Sequence, residues 1–185
     1  FQLTIGQFTL TEATASPGDA AVIPVALALP SAFLTGRAQI EAAPEGWSGA
    51  LDGAIPLLDQ ARAIELWPTV LNPGTRQWFV DNLTAGRVSN IHGGLRLVPG
   101  LAPRYAISHE FDGVTVTPMR RLPPITGAAG WGTYDNGAYA LTLDQGVIAA
   151  PQGGGIDVAG SSLIIPDTNV PDPPATVRLQ TDSTI

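Results

Sequence analysis

Apolar residues in this chain recur in short runs with a two-residue period, and Gly or Pro breaks the runs every few positions. That spacing predicts strands in preference to helices. Leu3, Ile5, Phe8 and Leu10 alternate, with a phase slip at Gly6-Gln7 that suggests a bulge. After a turn at Pro17-Gly18-Asp19, Ile23, Val25, Leu27 and Leu29 fall on one face and Val22, Ala26 and Ala28 on the other. Such two-sided apolarity fits a central strand, although Pro24 removes one ladder donor and points to an edge or a bulge. Ala38, Ile40 and Ala42 alternate with Gln39 and Glu41, a half-buried strand that ends at Pro44. Between Leu51 and Trp67 the expectation is a helical turn opened by Pro56 and running to Arg62, then strand at Ile64-Glu65-Leu66. Trp78-Phe79-Val80 and Leu95 to Val98 are further expected strands.

The sharpest local signal lies between Ile107 and Thr117. Asp112-Gly113 suits a two-residue type I′ turn, whose central positions both need positive φ. The predicted hairpin sets Phe111 opposite Val114 and His109 opposite Val116, with Ser108, Glu110, Thr115 and Thr117 on a wet face. Met119 to Gly132 carries Pro123, Pro124, Gly127, Gly130 and Gly132 and reads as a linker or long loop. Beyond it, Trp131 to Tyr134, a turn at Asp135-Asn136-Gly137, and Tyr139, Leu141 and Leu143 form a second hairpin pattern. Short strands follow at Val147-Ile148, Ile156 to Val158 and Leu163 to Ile165. A Pro-rich tail ends in a last strand at Val177 and Leu179, and no fixed-period repeat is visible. The expected organisation is all-β: an antiparallel sandwich over residues 1–118, a linker over 119–132, and a hairpin-rich C-terminal unit and arm over 133–185.

Ala15-Ser-Pro-Gly-Asp19 followed by Val22-Ile-Pro-Val25 resembles immunoglobulin-like β-sandwich modules of the cohesin-like, bacterial-surface type. In these, a Pro-Gly-Asp turn feeds a strand of the form Val-x-Val-Pro-Val. Asn72-Pro-Gly-Thr75, a strand at Trp78 to Val80, and Leu83-Thr-Ala-Gly86 resemble the later strand-turn pattern of the same modules. The resemblance implies an immunoglobulin-like sandwich and no ligand, since the chain has neither a Cys pair nor a calcium-loop signature. The remainder, through Asp135-Asn-Gly137, Gly153-Gly-Gly155 and Thr176-Val-Arg-Leu-Gln180, is similar in texture to virion proteins of tailed phages and gene-transfer agents. That likeness implies a capsid decoration, fibre or tail-associated component.

Composition narrows the partners. Charged residues are 14% of the 185, against about 25% in an average soluble domain, so the exterior is weakly ionic. Sixteen acidic residues stand against nine basic ones, all Arg, for a net charge of −7. Phosphate-backbone binding draws on clustered cations, and Arg120-Arg121 is the only adjacent pair, so no nucleic-acid partner is expected. The most apolar stretch, Ala20 to Leu34, is interrupted by Pro24, Pro30 and Ser31 and is shorter than the roughly 20 residues of a spanning helix; no membrane insertion is expected. With no Cys, disulfides and thiolates play no part. The chain starts at Phe1, so an initiator Met or a cleaved leader is expected ahead of it.

Candidate chemistry is sparse. His109 and Glu110 point to opposite faces of any strand, so they cannot share one ion. His92 sits in a turn-like Asn90-Ile-His-Gly-Gly94 without a partner in sequence reach. The carboxylate pairs Asp52 and Asp59, Glu41 and Glu45, and Glu110 and Asp112 have no spacing that fixes a shared geometry. Gly153-Gly-Gly155 lacks the Lys-Ser/Thr of a phosphate loop, Ser161-Ser162 has no nearby base, and Asn82-Leu-Thr84 matches a glycosylation acceptor of the kind chance supplies. No catalytic residue, metal ligand or cofactor is therefore assigned, and a non-enzymatic role is expected.

Trp47, Trp67 and Trp78 are expected in the sandwich core or at its edge. Trp131, Tyr134 and Tyr139 either form the small core of the C-terminal unit, the expected arrangement, or stand exposed as a stacking platform. With Val177, Leu179 and Ile185 they make the candidate interaction surface. Its expected partners are other structural proteins or copies of the chain in a virion. The alternative is a carbohydrate- or surface-binding module of a bacterial extracellular protein that meets cell-surface glycan, and the second alternative is a small hydrolase on a β scaffold.

Overall fold

The computed structural model of the protein describes residues 2–5, 8–11, 21–29, 32–67, 73–118 and 122–183, with side chains from 34 to 182 apart from Ala43. Strands dominate, and every pairing among them is antiparallel, as the two-residue period predicts. β1 (Gln2–Ile5) and β2 (Phe8–Thr11) pair with each other. Ile5 lies opposite Phe8, so the phase slip separates two strands of a hairpin instead of bulging one.

The main sheet is a meander. β3 (Ala21–Leu29) forms one edge, and β4 (Ala32–Ala43), β5 (Gly46–Asp59), β6 (Leu83–Leu97), β7 (Arg104–Val116), β8 (Ile125–Asp135) and β9 (Ala138–Ala149) each pair with the strand before. Then β10 (Gly155–Asp157) and β11 (Ser162–Ile165) pair with the two ends of β9. β12 (Thr176–Arg178) and β13 (Asp182–Ser183) pair with β11 and β10 in turn. The all-β antiparallel class is as expected. Its β3 to β7 are successive neighbours of one sheet, where an immunoglobulin-like sandwich would divide them between two.

Three local expectations change. β5 runs straight through Pro56, and α1 (Gln60–Leu66) follows it, the reverse of the helix-then-strand order. Pro56 fits because the β5–β6 register passes over Pro56 and Asn90, and Asn90 takes φ +49° there, so the missing N–H breaks no ladder bond. Asp59 then caps the helix by accepting from the Arg62 backbone N–H at 2.7 Å. Trp78-Phe79-Val80 lies in α2 (Pro73–Asn82), which Pro73 opens at the first helical position. Asp112-Gly113 is not a hairpin turn. β7 continues through it, paired with β6 on one side and β8 on the other, and the register slips there with Gly113 at φ +63°. The Asp-Gly pair makes a bulge, which needs the same positive φ as a turn. By contrast, Asn136 and Gly137, at φ +48° and +105°, do turn the β8–β9 hairpin, as predicted.

Residues 125–132 of the stretch expected to link two units are strand within β8. Gly130 and Gly132 among them serve packing across the sheet. Phe111 on β7 pairs with Gly130 on β8, which pairs with Leu143 on β9. A Cβ on Gly130 would stand 2.9 Å from Phe111 Cζ and collide with the Thr142 carbonyl oxygen. The ring of Phe111 thus lies over a position with no side chain of its own.

The core gathers at this end of the sheet: Phe111, Val114, Ala128, Leu143 and Val158, flanked by Leu83, Val116, Ile125, Leu141 and Ile148. Val158 comes from the connection between β10 and β11 and is fully buried. It is held because its N–H donates to Gly146 O at 2.9 Å while Gly160 N–H donates to Leu143 O at 2.7 Å. The buried Ser161 hydroxyl clamps the link between β12 and β13, accepting from Gln180 N–H at 3.0 Å and donating to Gln180 O at 3.1 Å.

Away from this cluster, only Ala38 and Leu58 are buried hydrophobics among the described residues.

Candidate functional site

Strand alternation and the observed register sort the sheet into two unlike faces. On β4, β5 and β6 one face carries Ala38, Leu51 and Leu95 in one cross-strand row and Ile40, Gly49 and Leu97 in the next. A Cβ on Gly49 would lie 3.8 Å from both Ile40 Cγ1 and Leu97 Cδ1, which places the three together on that face. Trp47 extends it, since it pairs with Ala42. The other face carries Arg37, Gln39, Glu41, Asp52 and Arg96. Arg96 Nη2 reaches Asp52 Oδ1 at 2.7 Å across β5 and β6, an exposed pair that contributes little to stability.

On β7, β8 and β9 the apolar face is closed by the chain itself. Tyr105, Ile107, His109 and Phe111 alternate along β7, opposite Tyr134, Gly132 and Gly130 and then Tyr139, Leu141 and Leu143. Tyr105 stacks on Tyr134 with centroids 5.4 Å apart at 22°, and their hydroxyls meet at 3.2 Å. The Tyr134 hydroxyl continues to Thr168 Oγ1 at 3.3 Å, tying down the segment after β11. That hydroxyl contact, with burial, pushes the Tyr105 pKa up to about 12. Burial alone pushes Tyr139 up to about 12.

His109 stacks on Tyr139 at 18° and 6.3 Å, across Gly132. A Cβ on Gly132 would come within 2.8 Å of the imidazole, so the glycine is what admits the ring. Burial lowers the His109 pKa from its ordinary 6.5, against a weaker upward pull from the Glu110 backbone. Its Nδ1 is buried without a hydrogen-bond partner. A depressed folded-state pKa means the unfolded chain takes up the proton first, so stability is lost as pH falls below about 6.5 and through the folded value. We expect His109→Phe to flatten that acid limb, since it keeps an aromatic ring and removes the titrating group. Thermal midpoints at pH 8 and pH 5, compared between the two proteins, measure it.

The aromatic trio divides. Trp131 and Tyr134 are three residues apart on β8 and therefore face opposite ways. Trp131, 46% exposed, stands on the wet face between Glu110 and Thr142, whereas Tyr134 and Tyr139 are half-buried on the apolar face. They do not form one platform. Val177 and Leu179 stand 59% and 64% exposed at β12, the outer edge of the sheet, and Ile185 lies outside the described residues. Of the three tryptophans expected in a core, Trp67 is half-buried against Phe79, but Trp78 is 40% and Trp47 62% exposed. Nothing within the described chain packs a second layer over Trp47.

A shallow depression of about 460 Å³ follows the row Gly53, Gly93, Ile107 and Tyr134, with His92, Asp52 and Asp135 among its lining. His92 and Ser108 are opposite one another there. Among the described residues, no three His, Asp or Glu side chains converge in a way that would hold a metal ion. No described helix is long and apolar enough to cross a membrane.

Sequence reasoning missed the uncovered apolar face. Its members are Ile40, Trp47, Leu51 and Leu97, exposed by 48%, 62%, 44% and 36%. Alternation did mark Ile40 as inward-facing, yet whether a second layer exists to receive it is a tertiary fact. No family model, curated protein or solved structure matches this chain.

Proposed function

We propose that this chain is a non-enzymatic structural protein of a virion, a decoration, fibre or tail-associated component that acts through protein–protein contacts. The observation that carries this reading is the apolar sheet face on β4, β5 and β6 that no described segment covers. A monomer gains nothing by exposing Trp47, Ile40 and Leu51 side by side, because contiguous exposed apolar surface mainly serves association. The exposed edge at Val177 and Leu179 supports it further, since the outer side of an edge strand offers backbone donors and acceptors to a neighbour. The texture of the C-terminal third, similar to phage and gene-transfer-agent proteins, supplies the virion setting. Density-gradient particles from the producing organism test the proposal: the chain should band with them in a fixed molar ratio to the major shell protein. Its absence from such particles would overturn it.

One observation favours the glycan-binding alternative. Trp131 presents its ring on the wet face, flanked by Glu110 and Thr142, where a sugar could stack and hydrogen-bond. A single ring is a smaller platform than the three-ring row that reading called for.

A further inference from the structure

From the wet face of β5 to β8 we infer that the chain binds a neutral oligosaccharide, with one sugar ring stacked on Trp131 and the next seated in the depression beside it. This takes the Trp131 observation further. It does not rest on the structural role, which the opposite face carries.

The register explains why the sheet is hollow there. Two cross-strand rows of the wet face meet in the depression: Asp52, Gly94, Ala106 and Asp135 in one, His92, Ser108 and Thr133 in the next. At the inner positions Gly94, Ala106 and Ser108 carry short side chains or none, so the floor lies low between longer neighbours. Gly53, Gly93, Ile107 and Tyr134 add backbone to that floor, since strand parity turns their side chains to the apolar face. The Arg96–Asp52 pair forms one wall; a Cβ on Gly94 would stand 3.2 Å from Asp52 Oδ1. At about 460 Å³ the depression falls within the range of small-molecule sites, about 300–1,000 Å³. Trp131 stands at its rim, two residues before Thr133 on the same face and so about 7 Å along β8.

Three features select the ligand. The first is the setting of the ring. Around Trp131 on the wet face stand Glu110, Thr142, Thr133 and Ala129, with no large apolar side chain among them. A protein hot spot sits at a dry apolar centre, whereas an isolated ring in a polar field suits a ligand apolar on one face and hydroxylated at its edge. A pyranose has that form. The second is hydrogen bonding. Asp52 and Asp135 each engage Oδ1 within the chain, with Arg96 and Asn136. Their second oxygens, with Ser108 Oγ and Thr133 Oγ1, bond no described residue. Carboxylates accept only, and hydroxyl groups of a sugar donate to them. The third is charge. The cation at the depression, Arg96, is already paired with Asp52, and the chain carries −7 overall. Uronate polymers and nucleic acids, which also stack on tryptophan, are therefore repelled, and a neutral glycan is not.

Native gel electrophoresis of the full chain through soluble xylan, galactomannan or mixed-linkage β-glucan tests this, with polygalacturonate as the acidic probe. At least one neutral polymer should retard the protein, and polygalacturonate should not. Trp131 is 46% exposed, so Trp131→Ala is expected to fold and to weaken binding about 10-fold. Trp131→Phe keeps an aromatic face and should retain most of the affinity, which a merely structural tryptophan would not predict. Asp135→Asn keeps the shape, removes the charge that receives a sugar hydroxyl, and should weaken binding about 5-fold. Glu41→Gln makes the same charge change on β4, away from the depression, and should leave retardation unchanged. Far-UV circular dichroism checks that each variant is folded. If Trp131→Ala does not fold, Thr133→Val, which removes one hydroxyl from the depression, serves in its place and should also weaken binding.

No retardation by any of the three neutral polymers overturns the inference. So does a folded Trp131→Ala protein retarded like wild type, or stronger retention by polygalacturonate. A chain missing from particles yet held by a neutral polymer would sink the structural role and leave the sugar site standing. A chain that bands with particles and ignores all three polymers would do the reverse.

Discussion

Gly130→Ala is expected to cost at least about 3 kcal/mol of folding stability, a methyl group doing damage usually reserved for a deleted core residue. The added Cβ has nowhere to go. On one side it meets the Thr142 carbonyl oxygen on β9, and on the other Phe111 Cζ at 2.9 Å. Thr142 O belongs to backbone held by the pairing of β9 with its neighbours, so it cannot retreat without opening the sheet. Phe111 is 7% exposed and has no empty space behind it. Urea denaturation followed by tryptophan fluorescence measures the loss. The matching control is Gly127→Ala, also on β8, where a Cβ has open space and the penalty is only that of its φ of +60°. A Gly130→Ala protein as stable as wild type would show that β7, β8 and β9 are not packed as described.

Phe111→Ala should be comparably severe, at about 3–5 kcal/mol. The cluster it anchors has few other members, and Phe111 is its only aromatic residue. Small domains are stable by only about 5–15 kcal/mol, so one truncation here removes a large share. Leu51→Ala removes a side chain of similar kind from the open face and should change the stability of the monomer by less than about 1 kcal/mol. The contrast between these two variants reads directly on where the chain does and does not have an interior. Hydrogen exchange adds the location: amides of β7, β8 and β9 should lose protection in Phe111→Ala.

Much of the architecture was legible because strand formation follows local pattern. Alternation at Ala38, Ile40 and Ala42 marked β4, and Asn136-Gly137 marked the β8–β9 turn, since in each case the residues that carry the signal are the residues that form the structure. The misreadings share a cause. Gly130 and Gly132 resembled a linker because their use depends on Phe111 and His109, some twenty residues earlier in the chain and adjacent only across the sheet. Asp112-Gly113 supplied the positive φ that a turn needs, but a bulge needs it too, and continuation of β7 was decided by β6 and β8. Pro56 announced a helix start, and the neighbouring Asn90 made room for it within a strand. The candidate surface was half legible. Val177 and Leu179 stand at an exposed edge where the tail suggested contact, whereas Trp131 parted from Tyr134 by simple strand parity once β8 was seen to include both.

The meander also dictates how the molecule comes into being. From β4 to β9 each strand finds its partner in the strand before it, so most ring closures are short and zippering can keep pace with the ribosome. The exception is beyond β9: β11 returns to β9 past β10, and Ser161 is secured by Gln180 only when the segment after β12 has emerged. Nucleation therefore belongs to adjacent hairpins, and the lock at Ser161 waits for the segment around Gln180.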